Sequence, residues 1–230
     1  KLAEHTGTLS SHVIAVAGSD EIIELLLKLF INPQDEILIP EPTFGMYRFF
    51  SAISQAKITN IPRDENFDIN TNKIISNIND QTKMIFLCSP NNPTGVVYNS
   101  DILSKISKII RQKENQYGNK IFLVSDEPYR KILFDQVISP NIFQFHPRTI
   151  VATSHSKDLG LPGERIGFVA INPNNECNDE LMDGLTFCNR ILGFVNASAI
   201  MQHIVKHLQS VTIDICDYQN KRDFLFSKLT

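Results

Sequence analysis

At 230 residues, with 42% hydrophobic and 20% charged residues, the chain has the balance of a soluble globular protein and the length for one large α/β domain or two small ones. A net charge of −3 leaves no basic footprint for nucleic acid or for an anionic membrane surface. No apolar run is long enough to cross a bilayer, the opening KLAEHTGTLSSH lacks the apolar centre of a signal peptide, and without an initiator Met the chain is expected to start inside a longer protein.

Taken in chain order, a short apolar strand followed by a polar turn and a helical pattern keeps recurring. HVIAVAGS reads as a strand and DEIIELLLKLF as a helix with Ile22, Ile23, Leu26, Leu27 and Phe30 on one face, stopped by Asn32-Pro33. DEILIP is a strand, TFGMYRFFSAI a helix, AKITNIP a strand, INTNKIISNI a short helix and KMIFLCS a strand. SDILSKISKIIRQKE is an amphipathic helix, after which KIFLVS, TIVATS and RIGFVAI complete a set of about seven strands. Such alternation predicts an α/β fold, a three-layer αβα sandwich around a mostly parallel sheet. Beyond Asn178 the pattern turns helical and ends in DYQNKRDFLFSKL. Residues 1–210 are read as one large domain and 211–230 as a helix leaving it.

Cys88, Cys177, Cys188 and Cys216 form no CxxC pair, which fits a reducing cytoplasm, and Cys88 within MIFLCS reads as a buried inert thiol. His203 and His207 stand four apart on an expected helix, but no third ligand accompanies them, so no metal is expected.

In a sheet of this kind ligands sit at the carboxyl ends of the strands. The unusual residues gather there: Gly18-Ser19-Asp20, Ser89-Pro-Asn-Asn-Pro-Thr-Gly95, Ser125-Asp126-Glu-Pro-Tyr129 and Ser154-His-Ser-Lys157. Each has a plain alternative. Gly18-Ser19-Asp20 opens a helix whose free N–H groups favour an anion, or else Ser19 or Asp20 merely caps it. PNNPTG is a turn by composition, with two asparagines, Asn91 and Asn92, able to offer an amide donor. Asp126 is either a buried acid wanting a cation or a cap for a following helix. Lys157, between two strands with Arg165 close behind, is either a reactive amine or an ordinary surface-loop lysine. An anion nest, an acid, a phenol, an amide and a lysine on one rim describe pyridoxal 5′-phosphate, with its phosphate, ring nitrogen, ring oxygen and aldehyde.

NNPTG at 91–95, DEPY at 126–129 and SHSKDLGLPGERIGF at 154–168 also carry a family likeness, matching in order and spacing. The chain resembles the fold-type I pyridoxal-phosphate aminotransferases of class I/II, in a bacterial aspartate-aminotransferase-like branch, from about Ser11 onward. The resemblance implies that Lys157 bonds the cofactor aldehyde as a Schiff base and serves as the proton-transfer base. It implies that Asp126 meets the ring nitrogen, and that Tyr129 and Asn92 meet the ring oxygen. Ser154 and Arg165 would hold the phosphate beside Gly18, Ser19 and Asp20, and Phe44 would stack on the ring, its plain alternative being a core phenylalanine.

The implied activity is transfer of an amino group between an amino acid and a 2-oxo acid, in a cytoplasmic homodimer that uses Ile191-Leu-Gly-Phe-Val195 as a contact surface. Two rivals share these residues: a β-lyase on the same fold and a non-catalytic ligand-sensing domain. His155, where the family commonly has Phe or Tyr, suggests a second titrating group near the cofactor. By the resemblance, the family's N-terminal segment that helps cover the site, and its small domain with the arginine that binds the substrate α-carboxylate, are expected to lie outside these 230 residues. Arg190 has no confident counterpart there, so the 230 residues alone are expected to bind cofactor without completing efficient transamination.

Overall fold

The computed structural model describes residues 2–193 and 195–229, without the side chain of His5. Every apolar run named above becomes a strand: β1 (Val13–Val16), β2 (Glu36–Glu41), β3 (Lys57–Pro62), β4 (Thr82–Cys88), β5 (Phe122–Asp126), β6 (Thr149–Ser154) and β7 (Gly167–Ile171). They form one sheet in the order β1-β7-β6-β5-β4-β2-β3. β2 runs parallel to β3 and β4, and β4, β5 and β6 run parallel to one another. Only β7 is reversed, antiparallel to both β1 and β6. The carboxyl ends of β1, β4, β5 and β6 therefore lie on the same rim as the start of β7.

The helices are α1 (Leu2–Thr6), α2 (Ser19–Phe30), α3 (Met46–Ile53), α4 (Thr71–Asn77), α5 (Ser100–Tyr117), α6 (His155–Asp158), α7 (Asn178–Ile191), α8 (Ala199–Val205) and α9 (Ile215–Leu229). Strand alternation sorts the core into two sides. Ile37, Ile39, Met84, Phe86 and Val124 face α2, α3 and α7, where they meet Ile22, Ile23, Leu26, Tyr47, Leu181 and Leu185. Leu38, Ile85, Leu87 and Leu123 face α4 and α5, against Ile74, Leu103, Ile106 and Ile110. The central strands are buried on both faces, so their sequences read as unbroken apolar runs. The expected three-layer sandwich is what forms.

Helix ends follow local chemistry. Asn70 and Asn99 accept from the N–H groups of Lys73 at 3.1 Å and Ile102 at 3.0 Å, caps worth about 1 kcal/mol each. α5 continues past the expected Glu114 to Tyr117 and stops at Gly118, whose φ of 71° a side chain would resist. Two local expectations change. α8 ends at Val205, so His203 and His207 do not share a helix. Lys157 sits on the single turn α6 rather than in a loop. α9 buries none of its described side chains.

Candidate active site

Strand alternation and the parallel register bring Asp126 to the end of β5 beside Cys88 at the end of β4. Asp126 is 2% exposed. Tyr47, on the buried face of α3, donates its hydroxyl proton to Asp126 Oδ2 at 2.7 Å. The other oxygen, Oδ1, has no hydrogen-bond partner among the described residues. Burial pushes the Asp126 carboxyl up to about 7, the charges of Asp20 and Glu127 add to this, and the Tyr47 hydrogen bond opposes it. No helix follows β5 directly, which removes helix capping as an explanation for this acid. A buried carboxylate with one oxygen free is an acceptor waiting for a cationic N–H donor.

Tyr47 was not singled out from the sequence, where it reads as one more aromatic on an amphipathic helix. Its ring stacks on Phe86 at 4.9 Å and meets Phe44 edge-on at 5.7 Å. It therefore joins the acid to the residue expected to stack on a ligand ring. Burial and the neighbouring Asp126 hold the Tyr47 hydroxyl far above its ordinary value, so it keeps the proton that it donates to Asp126. Burial likewise raises the Cys88 thiol to about 12, with the charge of Asp126 adding to it. That keeps Cys88 an inert thiol.

The opposite end of the cleft is built for an anion. Gly18, with φ 106°, is the N-cap of α2, and neither Ser19 nor Asp20 caps the helix through its side chain. Glu21 instead reaches back to the N–H of Ala17, leaving the first turn open. The Arg165 guanidinium lies directly over Gly18, where an added Cβ would stand 3.1 Å from one of its nitrogens. Gly167 is as tightly confined: a Cβ there would meet the Thr153 carbonyl at 2.5 Å and Gly18 Cα at 2.9 Å. These two glycines let β1 and β7 approach closely enough for Arg165 and the α2 N-terminus to face one space. Ser154, the last residue of β6, is buried beside Gly167.

Between the acid and the anion cradle lies a cleft of about 190 Å³, lined by Ser19, Asp20, Phe44, Asn92, Asp126, Tyr129, Ser154, Lys157 and Arg165, together with Cys88 and Ser156. Lys157 Nζ stands 5.8 Å from the centre of the Tyr129 ring, and Asn92 Nδ2 approaches the Tyr129 hydroxyl at 3.5 Å. The neighbouring Asn91 does different work. It accepts from Thr43 and Arg63 and donates to Thr94 and the Pro42 carbonyl, which locks the 89–95 turn. A second cavity of about 730 Å³ adjoins the first, sharing Asn92, Tyr129, Ser156 and Lys157 and walled by Ile132, Leu133, Phe134 and Ile213.

Every expected site residue except Gly18 lines this cleft, and Gly18 lies under Arg165 at its edge. His155 departs from expectation: its ring bonds Asp158 on the far side of α6 and does not line the cleft. Arg190 is exposed on α7, outside both cavities. Chemically, the cleft offers an anion cradle at one end, an acceptor for a protonated ring nitrogen at its floor, and a primary amine on its wall.

The family profile described as aminotransferase class I and II matches residues 1–225. A histidinol-phosphate aminotransferase of Dehalococcoides mccartyi is 36% identical over 172 residues, covering 75% of this chain and 45% of that protein. A probable aspartate aminotransferase of Methanocaldococcus jannaschii is 36% identical over 171 residues, 74% of this chain and 43% of that protein. The crystal structure of an aminotransferase from Eubacterium rectale superposes with a TM-score of 0.94 at 31% identity, covering 98% of this chain and 58% of that one. The chain thus spans less than half the length of the curated relatives it matches.

Proposed function

This chain belongs to the aminotransferase class I and II family, and from that premise we propose that it is the cofactor-binding part of an enzyme transferring an amino group between an amino acid and a 2-oxo acid. The family is pyridoxal-phosphate dependent. When bound, that cofactor supplies an aldehyde that bonds an amine and a protonated ring that withdraws electrons from the carbon attached to it. The observation that carries the reading is the free Oδ1 of buried Asp126 in the same cleft as Lys157. It is the acceptor that a pyridinium N–H requires.

Each residue then has a task. The open first turn of α2 and Arg165 bind the phosphate, by backbone N–H groups and by a guanidinium, with Ser154 beside them. Asp126, held by Tyr47, keeps the proton on the ring nitrogen. Asn92 and Tyr129 orient the ring through its oxygen, and Phe44 covers one face. Lys157 Nζ holds the cofactor before the substrate arrives, then takes the proton from the substrate α-carbon. A positioned base of this kind contributes about 10²–10⁴-fold.

Substrates approach through the adjoining 730 Å³ cavity, and we read 211–230 as the connection toward the rest of the longer protein. A homodimer is supported by apolar side chains exposed on α7, α8 and the turn between them: Phe187, Ile191, Val195 and Ile200. Phe194, part of the surface expected from the sequence, lies outside the described residues. All four cysteines are free thiols, in keeping with work in a reducing cytoplasm.

The test is to incubate the protein with excess pyridoxal phosphate, reduce with borohydride and map the peptides. The label is expected on Lys157, and a label confined to other lysines overturns the assignment.

A further inference from the structure

The single turn α6 has two faces. Ser156 and Lys157 line the cofactor cleft, while His155 and Asp158 point away from it and are buried. Asp158 is a hub. Its carboxylate accepts from His155 Nδ1 at 3.1 Å and pairs with Lys131 Nζ at 3.2 Å. Its carbonyl accepts from Thr212 Oγ1 at 3.0 Å and from the N–H of Ile213 at 2.8 Å. Lys131 Nζ also donates to the Gln209 carbonyl at 3.0 Å. The Gln209 side-chain amide nitrogen donates to the Val205 carbonyl at 2.8 Å and stands 3.5 Å from His155 Nε2. Each ring nitrogen of His155 thus has a polar neighbour, Asp158 at Nδ1 and Gln209 at Nε2.

A helix of four residues does not hold itself together, because closing one turn costs more conformational entropy than its hydrogen bonds return. Ser154, at the N-cap of α6, supplies no side-chain bond. The turn is held from outside: at its start by His155 N–H to the Ile166 carbonyl at 3.0 Å, and across its back by Asp158. Lys131 lies two residues beyond Tyr129, so its pairing with Asp158 ties the tyrosine turn to the lysine turn. The strap 209–213, which leads into α9, is pinned to the same aspartate.

We propose that Asp158, assisted by His155 and Lys131, is the positioning residue for Lys157: it fixes the amine relative to Tyr129 and couples that placement to the strap 209–213. Where the cofactor chemistry is concerned, the proposal rests on the reading of Lys157 given above. A displacement of about 1 Å at a reacting group costs on the order of a hundredfold in rate, and Asp158 governs a displacement of that kind without touching the cleft.

The test compares wild type with Asp158→Ala, the milder Asp158→Asn and His155→Phe, using two probes. Pyridoxal phosphate reports covalent capture at Lys157, in which the amine condenses with the aldehyde and water is released. Pyridoxine phosphate, which lacks the aldehyde, reports binding alone. Capture is expected to slow about a hundredfold in Asp158→Ala and about tenfold in Asp158→Asn and His155→Phe, with pyridoxine phosphate affinity within about twofold of wild type. Unchanged capture, or capture and affinity falling in parallel, overturns the positioning role.

Hydrogen exchange on the cofactor-free protein supplies an independent measure. Asp158→Asn should speed exchange at the amides of 157–160 and at Ile213 together, by at least about tenfold and by a common factor. An Ile213 amide that keeps its protection while 157–160 loosens overturns the coupling. Should wild type fail to capture the aldehyde at Lys157, the functional reading falls, and the exchange comparison still decides whether Asp158 holds the turn.

Discussion

Asp126 and Asp158 lie at nearly the same depth, 2% and 5% exposed, on opposite sides of Lys157, and they are in opposite electrostatic states. Asp126 has one donor, Tyr47, and one oxygen without a partner; burial and neighbouring acids raise its carboxyl to about 7. Asp158 is also penalised by burial, but His155 and Lys131 outweigh that and hold its carboxyl below the ordinary range. The fold completes one acid and leaves the other incomplete. A buried polar group that the protein does not satisfy marks where a ligand supplies the missing contact, whereas a satisfied one marks what holds the ligand's neighbours in place.

The sharpest way to break this comparison is Asp126→Ala. Losing a buried charge-assisted contact weakens cofactor binding by about tenfold to a hundredfold. Removal of the α-proton, followed by deuterium exchange into an amino-acid substrate of the cofactor-loaded full-length protein, is expected to fall much further, because the loss acts on the barrier itself. Equal modest losses in both measurements would make Asp126 a structural acid like its counterpart.

Asp158→Asn tests the other half. Removing one charge of this ion pair leaves Lys131 with the Gln209 carbonyl alone, and denaturant unfolding of the cofactor-free protein at pH 7 should show a loss of about 1.5–3 kcal/mol. The sign of the pH dependence follows from a folded value below the unfolded one. The stabilisation is present above the ordinary carboxylate range near 3.9 and disappears as pH falls through the lower folded value. The gap between wild type and variant should therefore close in acid. A gap that persists at pH 2 would mean that the Asp158 charge is not its source.

For Asp126 the sign reverses. Its folded value exceeds the unfolded one, so wild-type stability without cofactor should decline as pH rises from about 4 to about 7, by at most about 4 kcal/mol. Asp126→Asn removes that penalty in part, leaving an amide in the same enclosed place. The cofactor-free variant is expected to unfold at a higher temperature than wild type at pH 8 and at the same temperature near pH 4. A lower melting temperature at pH 8 would show the carboxylate to be satisfied after all.

The smallest expected effect is that of Tyr47→Phe. It deletes one donor to Asp126 and leaves the ring stacked on Phe86. The Asp126 carboxyl carbon, followed by NMR in the cofactor-free protein, should titrate about one pH unit higher than in wild type. An unmoved midpoint would remove Tyr47 from the site.

The strands could be read directly because a parallel strand covered on both faces needs no polar side, and KMIFLCS or KIFLVS has little else it can be. The rim residues could be read because Pro, Asn, Gly, Asp and Lys interrupt those runs where strands end. Tyr47 could not: its helix pattern identifies a buried face, and its partner Asp126 is 79 positions away. Asn91 and Asn92 are equivalent in the sequence, yet one locks its turn and the other faces the cleft. α6 was invisible as a helix because four residues carry no periodicity and its support comes from Lys131 and from 209–213. The same tertiary packing turned His155 away from the cleft it was expected to border.

By itself, then, the sequence determined what is local or repeated: strand and helix alternation, the layered α/β class, and the residue types placed at each strand end. The tertiary structure alone decided which polar groups meet. The β1-β7-β6 pairing lays Arg165 over Gly18, α3 brings Tyr47 to one oxygen of Asp126, and the strap 209–213 closes on Asp158. Hydrophobic periodicity is set by neighbours along the chain. The completion or desertion of a buried carboxylate is set by side chains that folding brings together from far apart, and in this protein that difference separates Asp126, with one oxygen unpartnered among the described residues, from Asp158, which His155 and Lys131 satisfy.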